Sequence, residues 1–588
     1  MSQRLSKLNV QIMLQILKSK VQNQLFVLSI PITLAILVRG LLLTRWCGDF
    51  NSDEAIVGLM AKHILAGRFP VFFYGQFYMG SQESMLAAVI FWLFGDMNGF
   101  LLRLSPITFY LAFIVLAFLW VQSWRDRQTA LWATLMLALP PAALTNYTYG
   151  ASAGYPELLF WGTLLFLLYQ RSLKFGWSSM RVFSLALVAG LALWNNPLSI
   201  FYLTTVLIIW VLGSTWWPQW RAYLLHLPPI IYLIIGAGLL TLAILALLVF
   251  KLAVDVLYIQ RLLISTILVT WIAAITLLRW QSRLHPNPGG HNRAVAYLFW
   301  LGSGGILGMV PMIYYFFDPG NSTGGADNFV IPTWQRQLEL WRFYFTHIFP
   351  ALIGVRTYID SSAVVMFLAK IGIVVIFLAV IFLFSRQYGW ALPDLILLRP
   401  ITPQMEHFLW LLGGLTVVFG FINGNVYDLE HIRYFLPLLF VLSTLVGLAL
   451  THWQKYKPAL AILLALFLLG FNGVTNFNYY QSLTTTCTAQ EVVDYLLRKQ
   501  IKGGQAYYEQ AYKLTFLSHE RVIIAPYRSR DRYEAYTHYA AALPQQIYIL
   551  RQGSETERFL AEFASPADLT LETVKNYNIF TLNSGLPK

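Results

Sequence analysis

Apolar runs of around 20 residues recur along most of this chain, and each is long enough to cross a hydrocarbon core of about 30 Å as a helix. They fall near 25–44, 100–122, 128–145, 155–170, 182–195, 197–213, 226–250, 257–278, 294–317, 363–384, 405–424, 432–451 and 458–475, which predicts thirteen crossings. The first run follows Arg4, Lys7, Lys18 and Lys20. It is too long for a signal-peptide core and no small-residue cleavage site follows, so it reads as a retained span with a cytoplasmic N-terminus. Met85 to Phe94 is also apolar, but about ten residues cannot span as a helix, and this stretch is expected to lie beside the membrane or re-enter it.

From Thr488 onward the pattern changes to short alternating elements. Helices are predicted at Gln490–Gln500, Gln510–Leu517 and Arg532–Leu543, with strands at Gln505–Tyr508, Arg521–Pro526 and Gln546–Leu550, as in a small α/β domain. The expected fold is therefore mainly α: a polytopic membrane protein with about thirteen transmembrane helices, interfacial helices in its outer loops and a small C-terminal α/β domain. The membrane domain is assigned to 1–475, with outer loops at about 45–84 and 318–361, and the extracytoplasmic domain to 476–588.

Composition sharpens this. Of 588 residues 57% are hydrophobic and only 12% charged, against roughly 25% in soluble domains, which rules out a soluble globule. The net charge of +14 does not point to nucleic acid. Residues 476–588 are nearly balanced, with 12 basic and 11 acidic side chains, so the excess belongs to the membrane part. There, Arg125/Arg127, Arg171/Lys174/Arg181, Arg221, Arg279/Arg283/Arg293, Arg386/Arg399 and Lys455/Lys457 all fall on the N-terminal side if Met85–Phe94 does not cross, as the positive-inside tendency requires. Two cysteines, Cys47 and Cys487, exclude a disulfide-rich scaffold; this topology puts both outside, where one pair in a long chain is more often two unrelated residues than a bridge.

The candidate chemistry lies in the outer loops. Cys47-Gly-Asp-Phe-Asn-Ser-Asp-Glu follows the first span, and Asn51 with Glu54 three residues on fits a capping box, Asp53 standing at the positive end of the helix dipole. A carboxylate fixed there is also well placed to act as a general base. In the later loop, Trp334, Leu338, Trp341, Phe345 and Ile348 recur at helical spacing, which predicts a helix in the membrane interface, with or without chemistry.

The acid pair after the first span, then Gly67-Arg-Phe-Pro, Tyr74-Gly-Gln-Phe-Tyr-Met-Gly-Ser and Phe91-Trp-Leu-Phe-Gly, followed by Leu102-Arg103-Leu104, resembles the C-type superfamily of integral membrane glycosyltransferases. Within that superfamily the likeness is to bacterial protein O-mannosyltransferase-like and aminoarabinose-transferase-like enzymes. The resemblance implies transfer of a hexosyl or pentosyl group from a polyprenyl-phosphate sugar donor to an acceptor at the outer face, with inversion. The acceptor is left open as a protein, a lipid or a polysaccharide. It implies Asp53 as the acid that deprotonates or orients the acceptor, Glu54 as its support, and Glu157 as a second acid that would hold the acceptor, Arg103 or a cation; Asp49 is an alternative to Asp53. Glu157 also reads as an ordinary helix N-terminal acid after Pro156.

The leaving lipid phosphate needs a cation, whether an arginine, a lysine or a divalent metal. His431-Ile-Arg-Tyr-Phe-Leu-Pro437 is similar to the Arg-Tyr-x-x-Pro segment of the family and makes Arg433 the first choice, with snorkelling to the interface as the plain alternative. Arg342, His347 and Arg356 are further candidates. Where the aminoarabinose enzyme has a lysine after its first-loop helices, this chain reads Tyr78-Met79, so phosphate handling must differ. Trp46, Tyr74 and Tyr78 are candidates for stacking on a sugar. The expected location is a bacterial inner membrane with the site on the periplasmic or extracellular side. The competing class is a transporter or flippase of a lipid-linked glycan; it should carry ionisable groups near the bilayer midplane, whereas here Arg39 lies toward a span's end and Lys370 is one of few inside a run.

Overall fold

The computed structural model describes residues 2–76, 78–152, 154–215, 217–218, 221–222, 291–317, 333–356, 364–423, 426, 428–562 and 569–582. Among these, seven helices are long and apolar enough to cross a membrane: Gln22–Leu43, Gly99–Trp124, Ala296–Tyr315, Val364–Tyr388, Met405–Ile422, Leu429–Tyr456 and Pro458–Ser482. The first is the end of a 42-residue helix α1 (Ser2–Leu43). Shorter apolar helices run Ser179–Asn195 and Pro197–Leu212. Tyr155–Phe175 supplies 21 residues more. The runs expected at 226–250 and 257–278 lie outside the described residues.

One expected span is interrupted. The 128–145 run forms a helix over Arg127–Ala138 and a single turn over Ala142–Thr145. Pro140 and Pro141 sit between them, where each removes a backbone donor and its ring obstructs the preceding turn. Met85–Phe94 lies within a 13-residue helix α3 (Gln82–Phe94), whose Trp92, Leu93 and Phe94 stay exposed at its end.

The helices meet in an aromatic layer in which Trp120, wholly buried, packs on Phe166, Phe408 and Phe440 with ring centres 5.3 to 5.8 Å apart. The later outer loop forms a helix over Trp334–Phe343, a π-helical turn and a last turn over Phe349–Leu352. Its protein face is Leu340, Tyr344 and Ile348, whereas Trp334, Leu338 and Phe345 point outward, as suits a helix half-sunk in the interface.

The C-terminal domain carries the expected alternation, with helices at Thr488–Arg498, Tyr508–Leu517 and Glu534–Ala541. Its strands are β1 (Gly503–Ala506), β2 (Ile523–Pro526), β3 (Ile547–Arg551), β4 (Leu569–Val574) and β5 (Tyr577–Leu582). The sheet order is β2-β1-β3-β5-β4, with β1 parallel to β2 and β3, and β5 antiparallel to β3 and β4. The hairpin β4–β5 was not anticipated, its polar Thr570-Leu-Glu-Thr giving weak alternation.

This domain sits on the loop that follows α1. Arg45 donates to the carbonyls of Tyr480 and Leu483 at 3.0 and 3.1 Å, capping the end of the last long helix. Cys47 and Cys487 form a disulfide, a pairing the sequence left open. The far end of α1 and the far end of Pro458–Ser482 therefore lie side by side.

Candidate functional site

Helix α2 (Ser52–Leu65) begins on Asn51, whose extended backbone lets its side chain accept from the Glu54 amide at 3.0 Å. The reciprocal half of the expected capping box does not form. Glu54 turns into the protein instead, where Arg103 donates to it twice, Nε to Oε2 at 2.8 Å and Nη2 to Oε1 at 2.6 Å, and the Ala151 amide donates at 3.0 Å. Arg103 Nη1 also lies 2.8 Å from Asp49 Oδ1, while the Tyr149 and Tyr479 hydroxyls donate to Asp49 Oδ2. Arg103 has no exposed surface and stacks on the Tyr149 ring at 4.7 Å. Glu54 and Asp49 are thus committed to a buried ion cluster, and the partner offered to Arg103 by the sequence, Glu157, is not the one it takes.

Asp53, the next side chain round the helix, is half-buried and faces the other way. The Tyr508 hydroxyl donates to its Oδ1. Burial, and then the Asp53 charge, push this phenol well above its ordinary range, so it stays protonated and remains a donor. The Tyr155 hydroxyl is within electrostatic reach of Asp53, Tyr78, Arg433 and Tyr434 together. Arg433 in turn faces Tyr155, Tyr434 and Tyr147. Its Nε is buried without a hydrogen-bond partner among the described residues. Asp53, Tyr78 and Arg433, from three distant stretches of sequence, thus all lie within electrostatic reach of the Tyr155 hydroxyl at the start of Tyr155–Phe175.

The other expected residues fall elsewhere. Tyr74 lies 2.5 Å from His63 Nδ1 and stacks on Tyr533 at 4.6 Å, so its ring is occupied by the domain contact. Glu157 is wholly buried in the first turn of its helix, and neither carboxylate oxygen has a hydrogen-bond partner among the described residues. Arg342 is exposed at the end of Trp334–Phe343, and Arg356 lies within electrostatic reach of His347. Their segment touches the Arg433 segment through Phe349 and Phe435, ring centres 6.4 Å apart.

Tyr508, Arg532 and Tyr155 were not singled out from the sequence. Tyr155 adjoins the Glu157 motif and was within reach; the other two lie in a domain whose contact with α2 has no local signature. Among the described residues no group of three His, Cys, Asp or Glu side chains is arranged to hold a metal. Glu54 and Asp49 are held by Arg103, while Glu509 lies within electrostatic reach of Asp53 and Glu430.

No family model and no curated protein matches the chain. Its architecture is similar to solved membrane glycosyltransferases over about nine-tenths of its length. ArnT from Cupriavidus metallidurans, solved bound to undecaprenyl phosphate, matches with a TM-score of 0.49 and 11% identity over 94% of this chain and 97% of that one. The archaeal oligosaccharyltransferase AglB from Archaeoglobus fulgidus, solved with an inhibitory peptide and a dolichol-phosphate, matches with a TM-score of 0.49 and 12% identity over 90% of this chain and 70% of that one.

Proposed function

We propose that the protein is a glycosyltransferase that moves a sugar from a polyprenyl-phosphate carrier to an acceptor hydroxyl on the outer face of the membrane, with inversion. The observation that carries this reading is that Asp53 and Arg433 both lie within electrostatic reach of one hydroxyl, that of Tyr155. Such a reaction needs a base on one side of the sugar carbon and a cation on the other. Asp53 takes the acceptor proton as the acceptor oxygen bonds to the sugar carbon from one face. The bond from that carbon to the phosphate oxygen breaks on the opposite face, and Arg433 holds the charge that collects on the leaving lipid phosphate. Glu54, locked to Arg103, fixes the start of α2 and hence the direction of Asp53. Tyr78 lies beside the sugar, and Glu157 is the further acid available to the acceptor side.

The same reading assigns thirteen crossings, a membrane domain over 1–475 and an extracytoplasmic domain over 476–588, with the site on the periplasmic or extracellular side of a bacterial inner membrane. The juxtaposed far ends of α1 and Pro458–Ser482 support it.

Purified protein supplied with labelled undecaprenyl-phosphate hexoses and pentoses and a membrane fraction as acceptor tests the reaction. Transfer is expected in the wild type and abolished in Asp53→Asn with expression unchanged. Full transfer by Asp53→Asn would remove Asp53 as the base. Arg433→Ala is expected to lose transfer and to weaken retention of undecaprenyl phosphate.

A further inference from the structure

The C-terminal domain reaches the proposed base directly. One hydroxyl, Tyr508, donates to Asp53 Oδ1 and accepts from Arg532 Nε at 3.2 Å. The Ser52 hydroxyl, next to Asp53, donates to the Tyr508 carbonyl at 2.5 Å, which ties the start of α2 to the Tyr508 backbone beside the phenol contact. Arg532 then ties this pair to the loop that carries Tyr78. Its Nη1 donates to the Gly75 carbonyl at 3.3 Å, and with the Gln76 amide turned to present oxygen both Nη groups donate to it at 2.8 and 3.0 Å. Its guanidinium packs over Phe73 at 5.4 Å, and the residue is only 8% exposed. Gly75 has φ +66°, and a Cβ there would lie 2.9 Å from the Arg532 Cα, so the loop is shaped to admit this arginine.

We propose that the C-terminal domain supplies two positioning residues, Tyr508 and Arg532, which set the orientation of Asp53 and of the Tyr78 loop, so that transfer requires this domain in its docked place. The proposal rests on the reading of Asp53 as base. A carboxylate held through one oxygen by a fixed donor presents its second oxygen in one direction. Among the described residues no donor occupies that second oxygen, Asp53 Oδ2, which is the one left for an acceptor hydroxyl. The guanidinium acts at one remove: it aligns the phenol that aligns the acid, and holds the loop against both.

The test uses the full-length protein and the labelled undecaprenyl-phosphate sugars described above. Tyr508→Phe is expected to lower kcat by ~10- to 100-fold, as misplacement of a catalytic group does, with the donor KM changed by no more than about twofold. Arg532→Lys is expected to keep more of kcat than Arg532→Ala, and the thermal unfolding midpoint of Tyr508→Phe is expected to match the wild type. A Tyr508→Phe enzyme with wild-type kcat overturns the proposal; an inactive Asp53→Asn beside it leaves the base assignment standing. Equal activity of Asp53→Asn and wild type overturns the base assignment instead. A second readout needs no substrate. Carbodiimide labelling of Asp53, followed by peptide mass spectrometry, is expected to be several-fold faster in Tyr508→Phe, and equal rates overturn the positioning.

Discussion

Arg103, with no exposed surface, holds the buried carboxylate of Glu54 and the mostly buried one of Asp49. Removing one partner of such a cluster leaves uncompensated charge in the interior, so Arg103→Ala is expected to destabilise the protein by about 3–5 kcal/mol. Thermal unfolding in detergent reads this, and Arg103→Lys, which keeps the charge but not the fork, should fall between the two. At this scale the sequence was legible where a motif orders its residues: the Asp53-Glu54 pair and Arg433 were readable as candidates. Their partners were not, because pairings such as Glu54 with Arg103 are fixed by how helices cross and not by spacing along either one.

Between elements, the contact of α2 with Tyr508–Leu517 depends on a missing side chain. A Cβ on Gly58 would fall 2.3 Å from the Phe516 ring, so Gly58→Val is expected to push the two helices apart and raise hydrogen exchange over both. A second contact lies at the other end of α2. Lys62 Nζ is 2.5 Å from Glu520, His63 Nε2 is 3.1 Å from it, and the Tyr536 hydroxyl donates to it at 2.6 Å. Burial alone would raise the Glu520 carboxyl, but hydrogen bonds from His63, Lys62 and Tyr536 outweigh it and bring the group from 4.5 down to about 2. Because the docked form binds this proton less readily, the contact contributes fully above pH 4.5 and is lost as the pH falls toward about 2. Exchange protection of Tyr508–Leu517 is accordingly expected to hold from pH 7 to 5 and to decline below 4.5, and Glu520→Gln should abolish that decline. The elements themselves were legible from apolar length and alternation. The break at Pro140-Pro141 was equally visible as a Pro-Pro pair but was outvoted by the hydropathy around it.

On the scale of the whole molecule, the sequence supplied a membrane part and an α/β part; the face they share comes from packing. The charge asymmetry of the loops predicts an outer C-terminal domain, and a disulfide such as Cys47–Cys487 persists in oxidising compartments. A reporter fused after Lys588 is expected to be extracytoplasmic, and after reduction a membrane-impermeant maleimide added from outside should label both cysteines. A cytoplasmic reporter would overturn the thirteen-span assignment.

Asp53 and Tyr508 are separated by 455 positions, so the ribosome makes one long before the other. Every span between them must be threaded into the bilayer before the two can meet. A chain stopped or cut between its last long helix and Tyr508 would be inserted, anchored and able to occupy a place in the membrane, yet would lack the contact that orients its acid. Synthesis past Tyr508 thus serves as its own licence: shorter copies, released next to a reactive lipid-linked sugar, would be chemically silent.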